Sequence, residues 1–296
     1  MTAPGLLVID KPGGMTSHDV VARVRRILGT RKVGHAGTLD PMATGVLVVG
    51  VERATRLLGH LALHDKRYEA TIRLGSTTVT DDAEGNVLTV ADAAEVRALD
   101  DDRVRAGCAR LVGALEQRPS SVSAIKVDGR RAYDRVRAGE EVQLATRAVV
   151  VTRLDVLDLR READVLDVDV DVECSTGTYV RALARDLGAD LGVGGHLTTL
   201  RRTRVGAFGI DEALDLDRLA EVGEAGLIPL AAVATRCFPI WPLDDEQTRA
   251  VAFGQRIAWG GPTGELGPVA LLSADGDLCA LGVDDDGLSR YLAVFA

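Results

Sequence analysis

Apolar residues in this chain fall into short blocks, and their spacing predicts the elements. Leu6-Leu7-Val8-Ile9 is a continuous run that ends at Asp10 and the Lys11-Pro12-Gly13-Gly14 turn, which reads as a short buried strand. Val20, Val21, Val24, Ile27 and Leu28 recur at helical spacing, so a helix is expected over 18–28 with Ser17 as its cap. A second buried strand is expected over 46–51, and a helix over 54–63. Residues 66–74 alternate, with Tyr68, Ala70, Ile72 and Leu74 on one face of a strand. Helices are expected over 91–99, 104–111, 178–191 and 214–222. Two strands, 149–160 and 164–173, should form a hairpin through 161–163. Asp167, Asp169 and Asp171 have the spacing of a calcium loop, but the intervening valines make a strand with an acidic solvent face the expected reading.

Six of the ten aromatic residues lie beyond Cys237, among turn signals at Gly260-Gly261-Pro262, Asp275-Gly276 and Asp286-Gly287. A boundary is therefore expected near 229–242, giving domains 1–235 and 236–296, the second small and β-rich. No apolar run reaches membrane-spanning length and no signal pattern opens the chain, so a cytoplasmic protein is expected. Cys108, Cys174, Cys237 and Cys279 have no zinc-ligand spacing and should be reduced and mostly buried. His60 and His64 are spaced like helical metal ligands but lack a third partner, and no metal is expected.

The net charge of −9 argues against a general nucleic-acid binder, yet it is uneven. Residues 1–73 hold eleven basic against six acidic side chains, while the remainder holds 24 against 38. A basic amino-terminal part on an acidic body marks a polyanion site. Further basic clusters occur at 126–137 and 201–204, and the four lysines, Lys11, Lys32, Lys66 and Lys126, all fall in the first half.

The chemistry concentrates in Gly34-His35-Ala36-Gly37-Thr38-Leu39-Asp40-Pro41-Met42-Ala43-Thr44-Gly45. A lone acid, Asp40, stands in a run of small residues and is followed by a proline that restricts it to an extended conformation. Such a loop presents one carboxylate over a surface that a bulky ligand can approach. Neither the phosphate-loop nor the dinucleotide fingerprint is present, so a nucleotide enzyme is not expected.

Gly5–Ser17, Lys32–Gly45, Lys66-Arg67-Tyr68 and Cys174-Ser175-Thr176-Gly177-Thr178-Tyr179-Val180-Arg181 resemble the TruB family of pseudouridine synthases, in the family's order across residues 5–206. The resemblance implies an α+β fold, with a mixed, largely antiparallel sheet flanked by helices and a small C-terminal PUA-like domain. It implies isomerisation of uridine 55 in the TΨC arm of tRNA, without cofactor or metal, by a protein expected to be a monomer. Asp40 matches the catalytic aspartate, Tyr68 the tyrosine that stacks on the flipped uracil, and Arg181 the arginine that pairs with the aspartate. His35 matches the loop residue that holds the extruded base, and Tyr179 and Leu200 match further pocket positions. Lys11, Lys32, Lys126, Arg130, Arg131, Arg201 and Arg202 are the expected contacts to the RNA backbone, with an RNA-gripping insertion at about 118–147. Where the family often has an aromatic within that insertion, this chain has Val122.

Two other readings compete. A pure RNA-binding or RNA-folding module would rely on aromatic platforms and strong positive charge, which this acidic, aromatic-poor chain lacks. A guide-RNA-dependent relative would be expected to carry long basic tails, and none is present.

Overall fold

The computed structural model describes residues 2–120, 126–127, 130–131, 145–162, 164–264 and 267–295. The chain forms two compact units. One contains Met1–Pro41, Gly45–Ala62 and Gly206–Ala296; the other contains Met42–Thr44 and Leu63–Val205.

In the first unit the apolar run at the amino terminus becomes the strand Gly5–Lys11, with Leu6, Leu7 and Ile9 fully buried. It pairs antiparallel with Thr44–Val51 over its whole length, and Val33–Ala36 pairs antiparallel on the other edge of Thr44–Val51. The helix Ser17–Leu28 buries Val20, Val21, Val24 and Leu28 and ends at Gly29. Its cap is Thr16 rather than the expected Ser17. Thr16 and Asp19 exchange side-chain and backbone hydrogen bonds at 3.1 and 2.9 Å, which leaves the Ser17 hydroxyl available for another task. The helix expected over 54–63 is broken into a 3-10 turn, Glu52–Arg56, and a single α-turn, Leu58–Leu61.

The carboxyl-terminal strands Ile240–Pro242, Val269–Leu272, Leu278–Asp285 and Leu288–Val294 form a four-stranded sheet, as the turn signals predict. Trp241, Leu243, Val251 and Leu271 make its core, and the Trp241 ring meets Trp259 edge-on at 4.9 Å. The helix Leu230–Cys237 runs across the composition boundary at 235, so the backbone is regular there.

In the second unit five strands lie in the order Gly195–Val205, Lys66–Leu74, Val165–Cys174, Arg147–Glu162 and Gly113–Gln117, every pair antiparallel. The alternation read from the sequence holds: Tyr68, Ala70, Ile72 and Leu74 are buried on one face. The helix Val180–Leu191 packs there, and Gly188 permits the contact. A Cβ at Gly188 would lie 2.1 Å from the Gly194 carbonyl carbon.

The opposite face corrects the expectation of acids facing solvent. Asp167 and Asp171 are only 6% and 5% exposed. The Arg73 guanidinium donates to both oxygens of Asp167 at 2.8 and 2.7 Å. Arg67 grips Asp171 at 2.8 and 2.6 Å, and Arg153 also pairs with Asp171. Asp169 takes Arg160 and the Thr71 hydroxyl. A carboxylate removed from water needs such charge-assisted partners, and arginine offers two parallel donors.

All four cysteines are free. Cys108, Cys174 and Cys279 are buried and Cys237 is half-buried, as expected. Burial pushes the thiols of Cys108, Cys174 and Cys237 up to about 11. Among the described residues no group of His, Cys, Asp and Glu is arranged to hold a metal ion. No described helix is long and apolar enough to cross a membrane.

Lys66 opens the central strand of the second unit. It is 6% exposed and donates to the His64 carbonyl at 2.7 Å. Burial, and then the nearby Arg202, lower its pKa from 10.5 to about 8. The folded state thus holds this proton less tightly than the unfolded chain does. The penalty is fully present below pH 8, and stability rises as pH climbs from about 8 toward 10.5. Lys66→Met should be relatively more stable at neutral pH and should lack that rise. Thermal melts of parent and variant from pH 7 to 10 check this; parallel curves would remove Lys66 as the source.

Candidate active site

The Asp40 loop is held from both sides. On one side, Leu39 is clasped by the Ser17 hydroxyl, which donates to the Leu39 carbonyl at 3.2 Å and accepts from its N–H at 2.9 Å. On the other, the Pro41 carbonyl accepts from the Gly14 N–H at 2.9 Å and from the Lys11 ammonium at 3.1 Å. Lys11 also donates to the carbonyls of Met15 at 2.7 Å and Pro12 at 2.9 Å. Gly37, with φ of 74°, makes the turn that leads into this mount. Asp40 itself is half-buried. His35 lies on Val33–Ala36 beside Val49, half-buried, with the exposed His18 ring edge-on to it at 5.4 Å.

Lys11 is completely buried, so the expected contact to RNA backbone does not hold for it: its ammonium is spent on three carbonyls beneath the loop. Lys32 is exposed.

In the second unit Tyr68 is 7% exposed. On Gly195–Val205 its register partner is Arg202, and Leu200 faces the adjacent Ala70. Paired residues point to the same side, so Tyr68, Leu200 and Arg202 share one face. Arg202 is 1% exposed and is the second RNA-backbone expectation to be corrected, because a fully buried guanidinium has no access to phosphate. Arg201 points the other way and donates to the Thr44 hydroxyl at 3.3 Å. A cleft of about 600 Å³ is lined by Met42, Thr44, Glu69, Thr71, Leu200 and Arg201, among others.

Tyr179 caps the helix Val180–Leu191 through its extended backbone. Gln117 clasps its peptide, accepting from the Tyr179 N–H at 2.8 Å and donating to its carbonyl at 3.0 Å. The Arg147 guanidinium lies over the Tyr179 ring at 4.4 Å. Arg181 is an interior side chain, not a surface one. Its guanidinium donates to the Thr80 carbonyl at 2.8 Å and meets the Asp82 carboxylate at 3.3 Å, both members of the pair being buried. Asp82 is held in turn by the Thr80 hydroxyl and by the Glu84 N–H at 3.1 Å. Sequence reasoning missed Asp82, and its only signal was its place in a polar turn, Thr80-Asp81-Asp82. Lys126, Arg130 and Arg131 form a short two-stranded ribbon, and their side chains lie outside the described residues, as does Val122.

The candidate residues thus fall into two sets: a braced loop carrying Asp40 in the first unit, and Tyr68, Leu200 and the buried Arg181 on one sheet face and its flanking helix in the second. The description "TruB family pseudouridylate synthase (N terminal domain)" matches residues 25–180, and "tRNA pseudouridylate synthase B C-terminal domain" matches residues 181–225. A "tRNA pseudouridine synthase B" of Thermobifida fusca is 54% identical over 298 residues, covering 99% of both chains. The chain belongs to the TruB family of pseudouridylate synthases. The protein of the same name from Nocardia farcinica is 60% identical over 277 residues, covering 94% of this chain and 88% of its own. Among solved structures, an H/ACA RNP bound to a substrate RNA containing 2'-deoxyuridine matches at 26% identity with a TM-score of 0.73, covering 99% of this chain and 85% of that one.

The fold class expected for the TruB family, helices flanking a largely antiparallel sheet, is the one found. Within it, the Arg181–Asp82 pair is the electrostatic element the sequence did not announce. Asp82→Asn leaves a buried guanidinium with one charge partner fewer, which costs roughly 3–5 kcal/mol where a buried pair is broken. A lowered melting temperature together with a lower rate of product formation is expected; a variant with parental stability and rate would make the pair dispensable.

Proposed function

We propose that this chain is a tRNA pseudouridine synthase that isomerises uridine 55 in the TΨC arm. The observation that supports it most is the full-length identity to relatives of that name, extending through every segment that carries the candidate residues. The reaction breaks the N1–C1′ bond of the uridine, turns the uracil and forms a C5–C1′ bond. N1 gains a proton and C5 loses one, so the atoms and electrons balance without an oxidant or cofactor. A uridine within a folded arm must leave the stack before its sugar carbon can be reached.

Each candidate residue then has a task. Asp40 supplies the carboxylate that acts at the sugar as the glycosidic bond breaks. Its braced loop suits that task, because a catalytic group must be held in place before the substrate arrives. Tyr68 gives the flipped uracil a flat partner and takes part in moving the C5 proton. Arg181 takes the family's role of the arginine that pairs with the aspartate. His35 holds the extruded base, and Tyr179 and Leu200 shape the pocket. Lys32 and Arg201, with Lys126, Arg130 and Arg131 of the 118–147 insertion, meet the RNA backbone, and residues 236–296 act as a small RNA-binding domain. The same reading takes the protein to be cytoplasmic and monomeric.

Asp40→Asn should abolish pseudouridine formation while leaving tRNA affinity within about tenfold, because affinity comes mainly from backbone phosphates. Mass spectrometry of incubated tRNA and a binding titration check both halves, and an active Asn variant would remove Asp40 from the chemistry.

Tyr68 separates a stacking ring from a proton carrier. Tyr68→Phe keeps the ring, and it should still lose on the order of 10²-fold in single-turnover rate at near-parental affinity if the hydroxyl moves a proton. Tyr68→Ala should lose turnover at a preserved fold. A folded, fully active Ala variant would reduce Tyr68 to part of the core.

A further inference from the structure

Asp81 stands next to Arg181's partner, yet it serves a different set of groups. Its carboxylate accepts from the Ser120 hydroxyl at 2.6 Å and pairs with the Arg185 guanidinium at 3.2 Å. Arg185 also holds Asp186 and, through its other nitrogen, the Arg118 carbonyl at 2.9 Å. The Asp81 carbonyl accepts from the Leu197 N–H at 3.0 Å. Gln117, Pro119 and Ser120 are buried, and Gln117 clasps the Tyr179 peptide. The stretch Gln117–Ser120 is thus pinned at Gln117, Arg118 and Ser120, the last two through Arg185 and Asp81, where the insertion begins and ahead of its basic cluster at 126–137. Burial raises the Asp81 carboxyl above its ordinary range, with Ser120 and the two arginines pulling it back. Its φ of 59° is left-handed, a conformation aspartate tolerates better than most residues.

We propose that Asp81 is a positioning residue that sets, through Ser120 and Arg185, where the RNA-gripping insertion leaves the sheet, and so governs tRNA affinity. This rests on the reading of the insertion as an RNA contact. The Asp81 carboxylate makes its hydrogen bond and ion pair with Ser120 and Arg185 at the root of the insertion, and the charge of Arg181 also acts on it. Loss of those direct contacts therefore acts on binding, whereas loss of Asp82 acts on the rate.

The test uses the full chain and unmodified tRNA transcript, with Asp81→Asn, Ser120→Ala, Arg185→Gln and the Asp81→Asn/Ser120→Ala double variant. Asn keeps the left-handed turn and an acceptor for Ser120 but removes the charge opposite Arg185. Titration should show affinity weakened by about tenfold in each single variant, with the double variant no worse than the weaker single, as expected of groups that act as one unit. Single-turnover rates at saturating enzyme should stay within about twofold of the parent. Thermal melts monitor the fold, and if Asp81→Asn does not fold, Ser120→Ala and Arg185→Gln carry the test from the other side. Unchanged affinity, additive losses or a collapsed saturating rate would overturn the proposal. A Lys126→Ala/Arg130→Ala/Arg131→Ala variant tests the underlying reading: normal binding by it would overturn the insertion as an RNA contact. Weak binding by it alongside parental binding by Asp81→Asn would overturn the proposal alone.

Discussion

A charge taken out of water must find its partners inside the protein, and in this chain that constraint builds the site. Lys11 is the clearest instance. Its ammonium is fully buried and carries three protons, and three carbonyls converge on it. Two belong to the turn that follows the first strand, and the third belongs to Pro41. The need to satisfy one cation thereby ties the turn to the residue beside Asp40. Ser17 completes the mount on the far side of the acid. The result is a short loop of small residues, unable to brace itself by packing, that is nonetheless fixed at both neighbours of its carboxylate.

The same constraint explains the polar face of the second unit's sheet. Exposed ion pairs contribute little to stability, and buried ones are costly mainly when broken. The Asp167, Asp169 and Asp171 row is therefore better understood as specifying register than as adding strength. A slip of one residue would turn these acids into the apolar face and bring Val168 and Val170 out. Arg67, Arg73, Arg153 and Arg160 can meet the acids in only one alignment of the three strands.

Much of this was legible in the sequence. The strands and helices follow the apolar period, because periodicity records which face is buried. The motif residues of the family were legible as residues, but their surroundings were not. Ser17 read as a cap because serine before an apolar run usually is one, and the structure assigns that role to Thr16 because Asp19 completes its capping box. The acid row read as solvent-facing because its arginine partners lie up to about a hundred positions away in sequence, where no local window sees them. Lys11 and Arg202 read as phosphate contacts because charge in a basic cluster suggests the surface, and both are interior. Asp82 was invisible for the complementary reason: two acids in a turn look like solvent exposure until a buried guanidinium is found facing one of them.

The turn at Thr80–Asp82 shows how one short segment can serve two demands. Successive carboxylates in an extended chain would point to opposite faces, and in a helix they would diverge by about a hundred degrees. The left-handed residue at Asp81 reverses the chain instead, so that Asp82 reaches Arg181 while Asp81 reaches Ser120 and Arg185. A positive φ at a non-glycine residue carries a conformational cost and persists only where the surroundings fix it. Here they do: the Asp81 N–H donates to the Thr78 carbonyl, its own carbonyl accepts from Leu197, and the Thr78 hydroxyl donates to the Asp82 carbonyl. The strained residue sits between the arginine proposed to serve the reaction and the chain segment proposed to lead to the RNA. The two carboxylates make their direct contacts with different arginines, Asp82 with Arg181 and Asp81 with Arg185, while the charge of Arg181 still reaches Asp81.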